Sequence, residues 1–372
     1  MSTINDLCSV IVDCEHKTSP EDDSGKYFAV GTPAMRGNVI DHNQARRISH
    51  EIFIAWTRRL KPKFGDLLFA REAPVGLIVQ IPVEENIAPG QRTVLMRPDP
   101  ALADSRYLFY RLSSAVEQER LQAMAGGSTV AHLNVADIRA FRLDVPSLSQ
   151  QQAIAEVLGA LDDKIAANTK VAQVARDLVG AEYQNILSRA EETTILQQVL
   201  TLEYGKPLLA ATRVPGQVQV FGSGGIVGFH DETFTAGPGI VVGRKGTAGA
   251  VHWAATNYYP IDTTFYVKSI NPDVFSLVYC FFLLRSLKLT ELNSDSAVPG
   301  LNRNDAYALK IRLPSDARIQ EFTRISIPLI DLADQAERES ATLAATRDAL
   351  LPQLMSGALR IKDAKNAIEE VL

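Results

Sequence analysis

The sequence predicts a mixed α/β (α+β) protein made of two tandem-duplicated domains, each followed by a long helix. Three observations support this fold class: a repeat with a period of about 170 residues, short β-branched and aromatic segments between Gly and Pro turns, and two long runs with apolar residues at helical spacing. A chain of 372 residues has room for two or three domains. The expected boundaries are 1–148 for the first domain, 149–190 for its helix, 191–314 for the second domain, 315–360 for its helix and 361–372 for a C-terminal tail.

The repeat has two parts. "GDLLFAREAPVG" (65–76) aligns with "PGIVVGRKGTAG" (238–249) at an offset of 173, which pairs Arg71 with Arg244. "STVAHLNVADIRAFRLDVP" (128–146) aligns with "SAVPGLNRNDAYALKIRLP" (296–314) at an offset of 168, and seven of these 19 positions are identical. A period of this length indicates a duplicated domain, because solenoid repeats span only about 20–50 residues. Each domain is also expected to contain a shorter helix, over 105–124 and over 273–292.

Each domain ends in a helical run whose seam residues are spaced by four and three, as in a coiled coil. The runs are ~30–40 residues long, or about 45–60 Å. Pro328 is expected to kink or delay the second helix, and Pro352 and Gly357 to mark its end. The similar seams favour pairing of the two helices, and the alternative is that each packs only on its own domain. The seam residues are Ile154, Leu158, Leu161, Ile165, Asn168, Ala172, Ala175, Val179, Glu182 and Ile186 in the first run, and Phe322, Ile325, Leu329, Leu332, Ala336, Glu339, Leu343, Thr346 and Leu350 in the second.

Composition limits the functional classes. Three cysteines without a signal peptide favour a reducing cytoplasm, and the longest apolar run, near 276–284, is far shorter than the roughly 20 residues of a membrane span. The net charge of −5 argues against a simple DNA-coating protein. The charge is uneven, however, because 35–71 contains eight cations and only three acids. Such segregation permits a nucleic-acid face.

No constellation of catalytic or metal-ligating residues is apparent. "GPGIVVGRKGTAG" (237–249) lacks the spacing of a phosphate-binding loop, since Gly239 and Gly243 are separated by three residues instead of four. "GSGGIVG" (222–228) has Val227 where a dinucleotide loop needs its third glycine. The six histidines include no helical pair that would bind a metal. We therefore expect no active site, cofactor or metal, and the loop at 237–249 is either a solvated hairpin tip or a contact for nucleic-acid phosphates.

Six segments along the chain carry a family resemblance: "DCEHKT", "GDLLFAREAPVG", "GGSTVAHLNVADIRAFRLDVPSLSQQQAIAEVLGALDDKI", "FGSGGIVGFHDE", "GIVVGRKGTAG" and "RDALLPQLMSGALRI". In this order and spacing they resemble the specificity (S) subunit of Type I restriction–modification systems, over about 7–361. The resemblance implies two target-recognition domains that each read half of a split DNA sequence. It also implies an antiparallel coiled coil of the two helices, and no catalytic residues. The implied partners are double-stranded DNA, two methyltransferase (modification) subunits and, in systems that cleave DNA, restriction/motor subunits.

Candidate DNA contacts follow from the matched hairpins and the basic stretch. Arg71 occupies one hairpin tip, and Arg244 with Lys245 occupies the other. An arginine there can clamp a phosphate or form two hydrogen bonds with guanine. The further candidates are Ser128, Thr129 and Ser296 in the repeated Gly/Ser loop, and the cations Arg58 and Lys61.

Asn134, Asn302, Asp137 and Asp305 are instead expected to cap helices. The two domains differ in most residues outside the repeat, so we expect an asymmetric bipartite target. Two alternatives remain: a stand-alone DNA-binding regulator without catalytic partners, and a nucleotide-dependent enzyme that uses the glycine loops.

Overall fold

The computed structural model describes residues 1–126, 131–293 and 300–369. These residues form two compact units, Met1–Ala166 with Ala341–Leu372, called the first unit, and Ala167–Ser340, called the second unit. The division falls inside the two long helices, so each unit contains a part of both.

The first unit is built on a four-stranded antiparallel sheet and a three-stranded mixed sheet. Its elements up to the first long helix are β1 (Ser2–Thr3), α1 (Ile4–Leu7), β2 (Cys8–Asp13), β3 (Tyr27–Val30), β4 (Met35–Arg36), β5 (Val39–Ile40), β6 (Arg46–Ile48), α2 (His50–Trp56), β7 (Leu67–Ala70), β8 (Ile78–Gln80), β9 (Ile87–Pro89), β10 (Thr93–Pro98), α3 (Ser105–Ser113), α4 (Ala115–Met124), α5 (Val135–Ala140), β11 (Arg142–Leu143) and α6 (Leu148–Ser188). The larger sheet has the order β2-β10-β7-β8, and in the smaller, β6-β3-β9, the strands β3 and β9 are parallel.

The second unit has the same two sheets. Its elements, with those that complete the chain, are β12 (Glu192–Ile195), β13 (Leu200–Tyr204), β14 (Val218–Gly222), β15 (Gly225–His230), β16 (Gly239–Gly243), β17 (Val251–Ala254), β18 (Tyr258–Pro260), β19 (Thr264–Ser269), α7 (Leu277–Ser286), α8 (Arg303–Tyr307), β20 (Lys310–Leu313), α9 (Asp316–Ser356) and α10 (Ile361–Glu369). The sheet orders are β13-β19-β16-β17 and β15-β14-β18, with β14 and β18 parallel. The duplication is therefore present in the topology.

Strand register assigns equivalent positions in the two units. Thr93 of β10 opposes Ala70 of β7, and Thr264 of β19 opposes Gly243 of β16. One residue further, Val94 opposes Asp13 of β2, and Phe265 opposes Tyr204 of β13. The loop after β7 is thus equivalent to the loop after β16, and Asp13 is equivalent to Tyr204.

Each unit has its own apolar core between the larger sheet and helices. In the first unit, Phe69 and Met96 of the sheet pack with Tyr107 of α3 and Leu161 of α6. The second unit is richer in aromatic residues: the buried side chains include Phe265 of β19, Tyr279 and Phe282 of α7, Tyr183 of α6 and Phe322 of α9. The short helix of each domain is therefore held between the sheet and the long helices.

The helix expected over 105–124 is interrupted in the structure. Asp104 caps α3 by accepting the Tyr107 N–H at 2.9 Å, but Ser114 is extended (φ −65°, ψ 146°) and separates α3 from α4. In the second unit Ser276 caps α7 in the same way, and α7 is followed by a 3-10 turn, Leu289–Asn293, rather than by continued α-helix. The sequence therefore located both helices but overestimated their length.

The long helices α6 and α9 are each 41 residues long, about 60 Å. Within each unit, α6 and α9 run antiparallel to each other. In the first unit Arg347 donates to Asp162 at 2.7 Å, and in the second unit Asn168 donates to Glu339 at 2.9 Å and Arg176 to Asp334 at 3.2 Å. As the residue numbers on α6 rise, the residue numbers of their partners on α9 fall, which confirms the antiparallel pairing.

The seam of α6 follows the predicted spacing, but the seam of α9 does not follow it throughout. Ile325 and Leu332 were expected in the seam and are 38% and 46% exposed. Ile330 and Ala333 are buried in their place. Phe322, Ala336, Leu343 and Leu350 of the predicted seam are buried, so the prediction is wrong at Ile325 and Leu332 and correct at these four positions.

Pro328 does not delay α9, which begins at Asp316 and continues through Pro328 and Pro352 to Ser356. Pro328 has no N–H, so the helical hydrogen bond to the Arg324 carbonyl is missing. Arg324 and Pro328 are both exposed, so water can bind this carbonyl instead. Gly357 follows the last helical residue with a φ of 74°, the expected helix end.

The segment expected to be a C-terminal tail contains the helix α10. Ala364 and Ile368 are buried in the core of the first unit, and Lys365 pairs with Glu156 of α6 at 2.7 Å. Over the described ranges, no helix has the length and apolar character needed to cross a membrane.

Candidate nucleic-acid interface

Each unit has a tight hairpin directly after a fully buried strand. The Gly76 N–H donates to the Ala70 carbonyl after β7, and the Gly249 N–H donates to the Gly243 carbonyl after β16, both at 2.8 Å. Gly76 and Gly249 have φ values of 99° and 83°, in the left-handed region that favours glycine. The matched glycines of the sequence therefore close the same turn twice.

Arg71 and Arg244 are the first residues of these hairpins. The Arg71 carbonyl accepts the Leu133 N–H at 2.9 Å, and the Arg244 carbonyl accepts the Leu301 N–H at 2.8 Å. Leu133 and Leu301 belong to the second repeated segment. The two repeated segments therefore contact each other in each unit, which explains why they are duplicated together.

The Arg71 side chain is engaged within the first unit. Its Nε lies 3.5 Å from the Asp13 carboxylate, its Nη2 lies 3.4 Å from His16 Nδ1, and its Nη1 donates to the Leu133 carbonyl at 3.3 Å. Only 14% of the side chain is exposed. A DNA phosphate that binds Arg71 has to compete with an internal carboxylate.

Two other cations near this hairpin are also paired with acids. Arg58 contacts Glu15 at 2.8 Å, and Arg92 contacts Glu72 at 3.4 Å. Lys61 is exposed. Because Glu15 lies in the same short segment as Asp13 and also contacts Arg59 at 3.8 Å, the structure brings three arginines together with two carboxylates in this region.

Arg244 has a different environment in the second unit. Its Nη1 donates to the Asp262 carbonyl at 2.9 Å, and its guanidinium carbon lies 4.9 Å from the centre of the Tyr204 ring. Lys245, the next residue, is exposed. Within the described part of the chain, neither Arg244 nor Lys245 forms an ion pair with a carboxylate. No described carboxylate therefore neutralises either cation.

The first unit also contains a polar cleft of about 250 Å³ that the sequence did not indicate. Its walls carry amide, hydroxyl and guanidinium groups, and Thr18 donates to the Gln91 side chain at 3.3 Å. Amides and guanidinium groups are the side chains that most often bind base edges. The polar lining residues are Thr18, Ser19, Thr32, Gln44, Arg46, Gln91 and Arg92.

Ser128, Thr129 and Ser296 lie outside the described residues. Asn134 and Asn302 occupy the N-cap positions of α5 and α8, as expected. The Asn134 N–H donates to the Asp137 carboxylate at 3.2 Å, and the Asn302 side chain accepts the Asn304 N–H at 2.9 Å.

Ionisation of the thiols is unfavourable throughout the described residues. Burial raises the pKa of Cys8 and of Cys280 to about 12, and it also raises the pKa of Cys14. Thiols with such pKa values are protonated at neutral pH and are poor nucleophiles. No group of His, Cys, Asp and Glu in the described ranges is arranged to hold a metal ion.

Comparisons with known proteins agree with this architecture. Residues 1–175 match the family model of the Type I restriction modification DNA specificity domain. A putative type I specificity subunit of Mycoplasma genitalium is 24% identical over 282 residues, which cover 69% of this chain and 72% of the relative. A Type I restriction enzyme specificity subunit of Methanocaldococcus jannaschii is 22% identical over 367 residues, which cover 86% and 83%. The crystal structure of the S subunit of a Type I restriction–modification system from M. genitalium has the same fold, with a TM-score of 0.63 at 21% identity over 95% of this chain and 94% of that one.

Proposed function

We propose that this chain is a non-catalytic Type I restriction–modification DNA specificity subunit that reads an asymmetric split DNA target, with one half-site for each unit. The match to the family model and the similar specificity subunits support this proposal. Contacts to phosphates would fix the register of each unit on the duplex, and contacts to base edges would select the sequence. Methylation and cleavage would be carried out by the partner subunits.

One observation carries this proposal: the two units share a backbone framework but not the side chains around the matched hairpin. Asp13 of the first unit is replaced by Tyr204 in the second, and Glu72 by Lys245. Two units that carry unlike side chains on a shared framework would read different bases elsewhere on their DNA-facing surfaces. A palindromic target would require two units with like side chains.

For the second unit we propose Arg244 and Lys245 as phosphate contacts, because both lack an ion-pair partner among the described residues. For the first unit we propose Lys61, which is exposed, together with Arg58 and Arg71 after exchange of their carboxylate partners for phosphate. Ser128, Thr129 and Ser296 stay in the proposal as contacts of the repeated Gly/Ser loop.

The paired helices are proposed to dock two methyltransferase (modification) subunits and, in a system that cleaves DNA, the restriction/motor subunits. An exposed apolar stripe on α6 supports this: Val171, Val174 and Leu178 are 40%, 41% and 53% exposed at helical spacing. The proposal places this complex in the cytoplasm, in keeping with three free cysteines.

The test is single-molecule methylation mapping of the host genome, with and without the gene. We expect deletion to remove one motif made of two different short half-sites around a fixed gap. Loss of a palindromic motif would contradict the assignment of one half-site to each unit. An unchanged methylome would contradict the methyltransferase partnership and would favour a DNA-binding regulator without catalytic partners.

A further inference from the structure

The region around the matched arginine differs in charge between the two units. Four equivalent positions are acidic or apolar in the first unit and aromatic or basic in the second. The equivalent pairs are Asp13 and Tyr204, Glu15 and Lys206, Glu72 and Lys245, and Val135 and Arg303.

The second unit places two guanidinium groups against one aromatic ring. The guanidinium carbons of Arg244 and Arg303 each lie 4.9 Å from the centre of the Tyr204 ring. This distance is within the range of a cation–π interaction, which is worth about 0.5–1 kcal/mol at an exposed site. Tyr204 is 49% exposed, so the arrangement lies at the surface of the unit.

Each guanidinium group also has a second contact within the unit, besides the Tyr204 ring. Arg244 is held by the Asp262 carbonyl, and Arg303 is 5.8 Å from the centre of the Tyr307 ring, whose hydroxyl accepts the Leu202 N–H at 2.8 Å. The Arg303 Nε is buried and has no hydrogen-bond partner among the described residues. A buried donor without a partner is unfavourable, and a bound acceptor would relieve it.

No carboxylate within the described part of the chain neutralises this cluster. Neither Arg244 nor Arg303 forms an ion pair there, and the Asp262 carboxylate does not pair with Arg244 although its carbonyl does. Lys206, two residues after Tyr204, and Lys245, next to Arg244, are exposed and also lack an ion pair there. The cluster therefore has the composition of an anion site.

We infer that Tyr204, Arg244 and Arg303 form a binding site for a DNA phosphate group, which anchors the second unit to the duplex. This inference rests on the proposed function, because it names the contact by which that unit binds DNA. The ring holds the two guanidinium planes in place, so their N–H groups lose little freedom on binding. The first unit lacks this site, because Asp13 occupies the position of Tyr204 and pairs with Arg71.

The experiment measures the affinity of the full chain for a duplex by fluorescence anisotropy at 50 and 200 mM salt. It compares the wild type with Arg303→Ala, Arg303→Lys and Tyr204→Leu, on two duplexes of unrelated sequence. Arg324→Ala is the matched control, since it removes an exposed cation of the same unit that pairs with Glu321 on α9. Urea unfolding of each variant shows whether the fold is retained.

We expect Arg303→Ala to weaken binding to both duplexes and to reduce the salt slope by about 1. The advantage of the wild type over this variant should therefore shrink about threefold between 50 and 200 mM salt. Arg303→Lys, which keeps the charge, should recover most of the slope, and Tyr204→Leu should lose affinity without any change of charge. Arg324→Ala should keep the wild-type slope.

The outcomes separate the two proposals. If the wild type binds DNA but Arg303→Ala and Tyr204→Leu keep its affinity and slope, the phosphate site is wrong and the proposed function stands. A loss confined to one duplex would overturn the phosphate assignment in favour of base reading. If the wild type binds neither these duplexes nor one carrying the mapped methylation motif, the proposed function fails as well.

Discussion

The first unit holds the arginine of its hairpin with a carboxylate, whereas the second unit holds the equivalent arginine with an aromatic ring. Arg71 is 3.5 Å from Asp13, and Arg244 is 4.9 Å from the centre of the Tyr204 ring. The backbone around both arginines is the same. The duplicated framework therefore fixes where a charge is placed, while the neighbouring side chain decides whether that charge is neutralised within the protein.

A second pair of equivalent positions differs in the interior. Asp66 is 1% exposed and pairs with Arg97 at 2.7 Å in the first unit. The second unit has Gly239 and Lys268 at these positions, and a side chain at Gly239 would collide with the Tyr258 hydroxyl. The first unit thus depends on a buried ion pair that the second unit does without.

Breaking this buried ion pair should have the largest effect on the free energy of unfolding. Arg97→Ala leaves the Asp66 carboxylate buried without its partner, and we expect a loss of about 3–5 kcal/mol in the free energy of unfolding. The equivalent substitution in the second unit, Lys268→Ala, removes an exposed cation that stacks on Tyr266 and should cost no more than about 1 kcal/mol. Urea unfolding of both variants tests the difference, and equal losses would contradict it.

In the helix pair, the first unit buries Leu343 in its core, whereas four alanines of α6 and α9 pack together in the second unit. Leu343→Ala opens a cavity in the first unit and should cost about 2–5 kcal/mol. Ala333→Leu has to fit into the cluster of Ala172, Ala175 and Ala336 in the second unit and should cost about 1–3 kcal/mol. Both are measured by urea unfolding. A stabilising Ala333→Leu would show that the alanine seam is loosely packed.

Exchanging the two kinds of neighbour tests their effect on DNA binding. Asp13→Asn removes the charge that neutralises Arg71, so DNA affinity should rise and the salt slope should steepen by about 1. Tyr204→Asp introduces a carboxylate beside Arg244 and Arg303, so the DNA affinity and the steepness of the salt slope should both fall. Anisotropy titrations at several salt concentrations provide the measurement. Changes of the same sign in the two variants would refute the comparison.

The smallest expected effect is a pH dependence in the second unit. Burial raises the pKa of Asp334 above its ordinary 3.8, although the Trp253 indole donates to it at 2.8 Å and Arg176 at 3.2 Å. The folded state therefore holds this proton more tightly than the unfolded state, and stability should fall as pH rises from 3.8 through the raised pKa. Asp334→Asn should remove that component of the pH profile. An identical profile for the variant, recorded by urea unfolding between pH 3 and 7, would contradict it.

The fold class, the duplication and the antiparallel pairing could be predicted from the sequence, because each leaves a local or periodic pattern. The Asn134 and Asn302 caps were predictable for the same reason. The break at Ser114 was not, because the flanking helices are fixed by Glu117, which is fully buried and paired with Arg111 at 2.6 Å. No local propensity encodes such a contact.

The candidate site was predicted only in part. Both hairpin arginines were found through the repeat, but the neighbours that distinguish them were not. Asp13 and Arg71 are far apart in the sequence and meet because β10 lies between β2 and β7. Arg303 and Tyr204 are likewise far apart in the sequence and lie in contact in the structure. These contacts depend on strand order, which local sequence patterns do not specify.

The most direct test compares the two equivalent arginines. The affinities of Arg71→Ala and Arg244→Ala for the same duplex are measured at 50 and 200 mM salt. We expect Arg244→Ala to weaken binding and to reduce the salt slope by about 1, and Arg71→Ala to have a smaller effect on both, because Asp13 already neutralises Arg71. An effect of Arg71→Ala equal to or larger than that of Arg244→Ala would contradict the account.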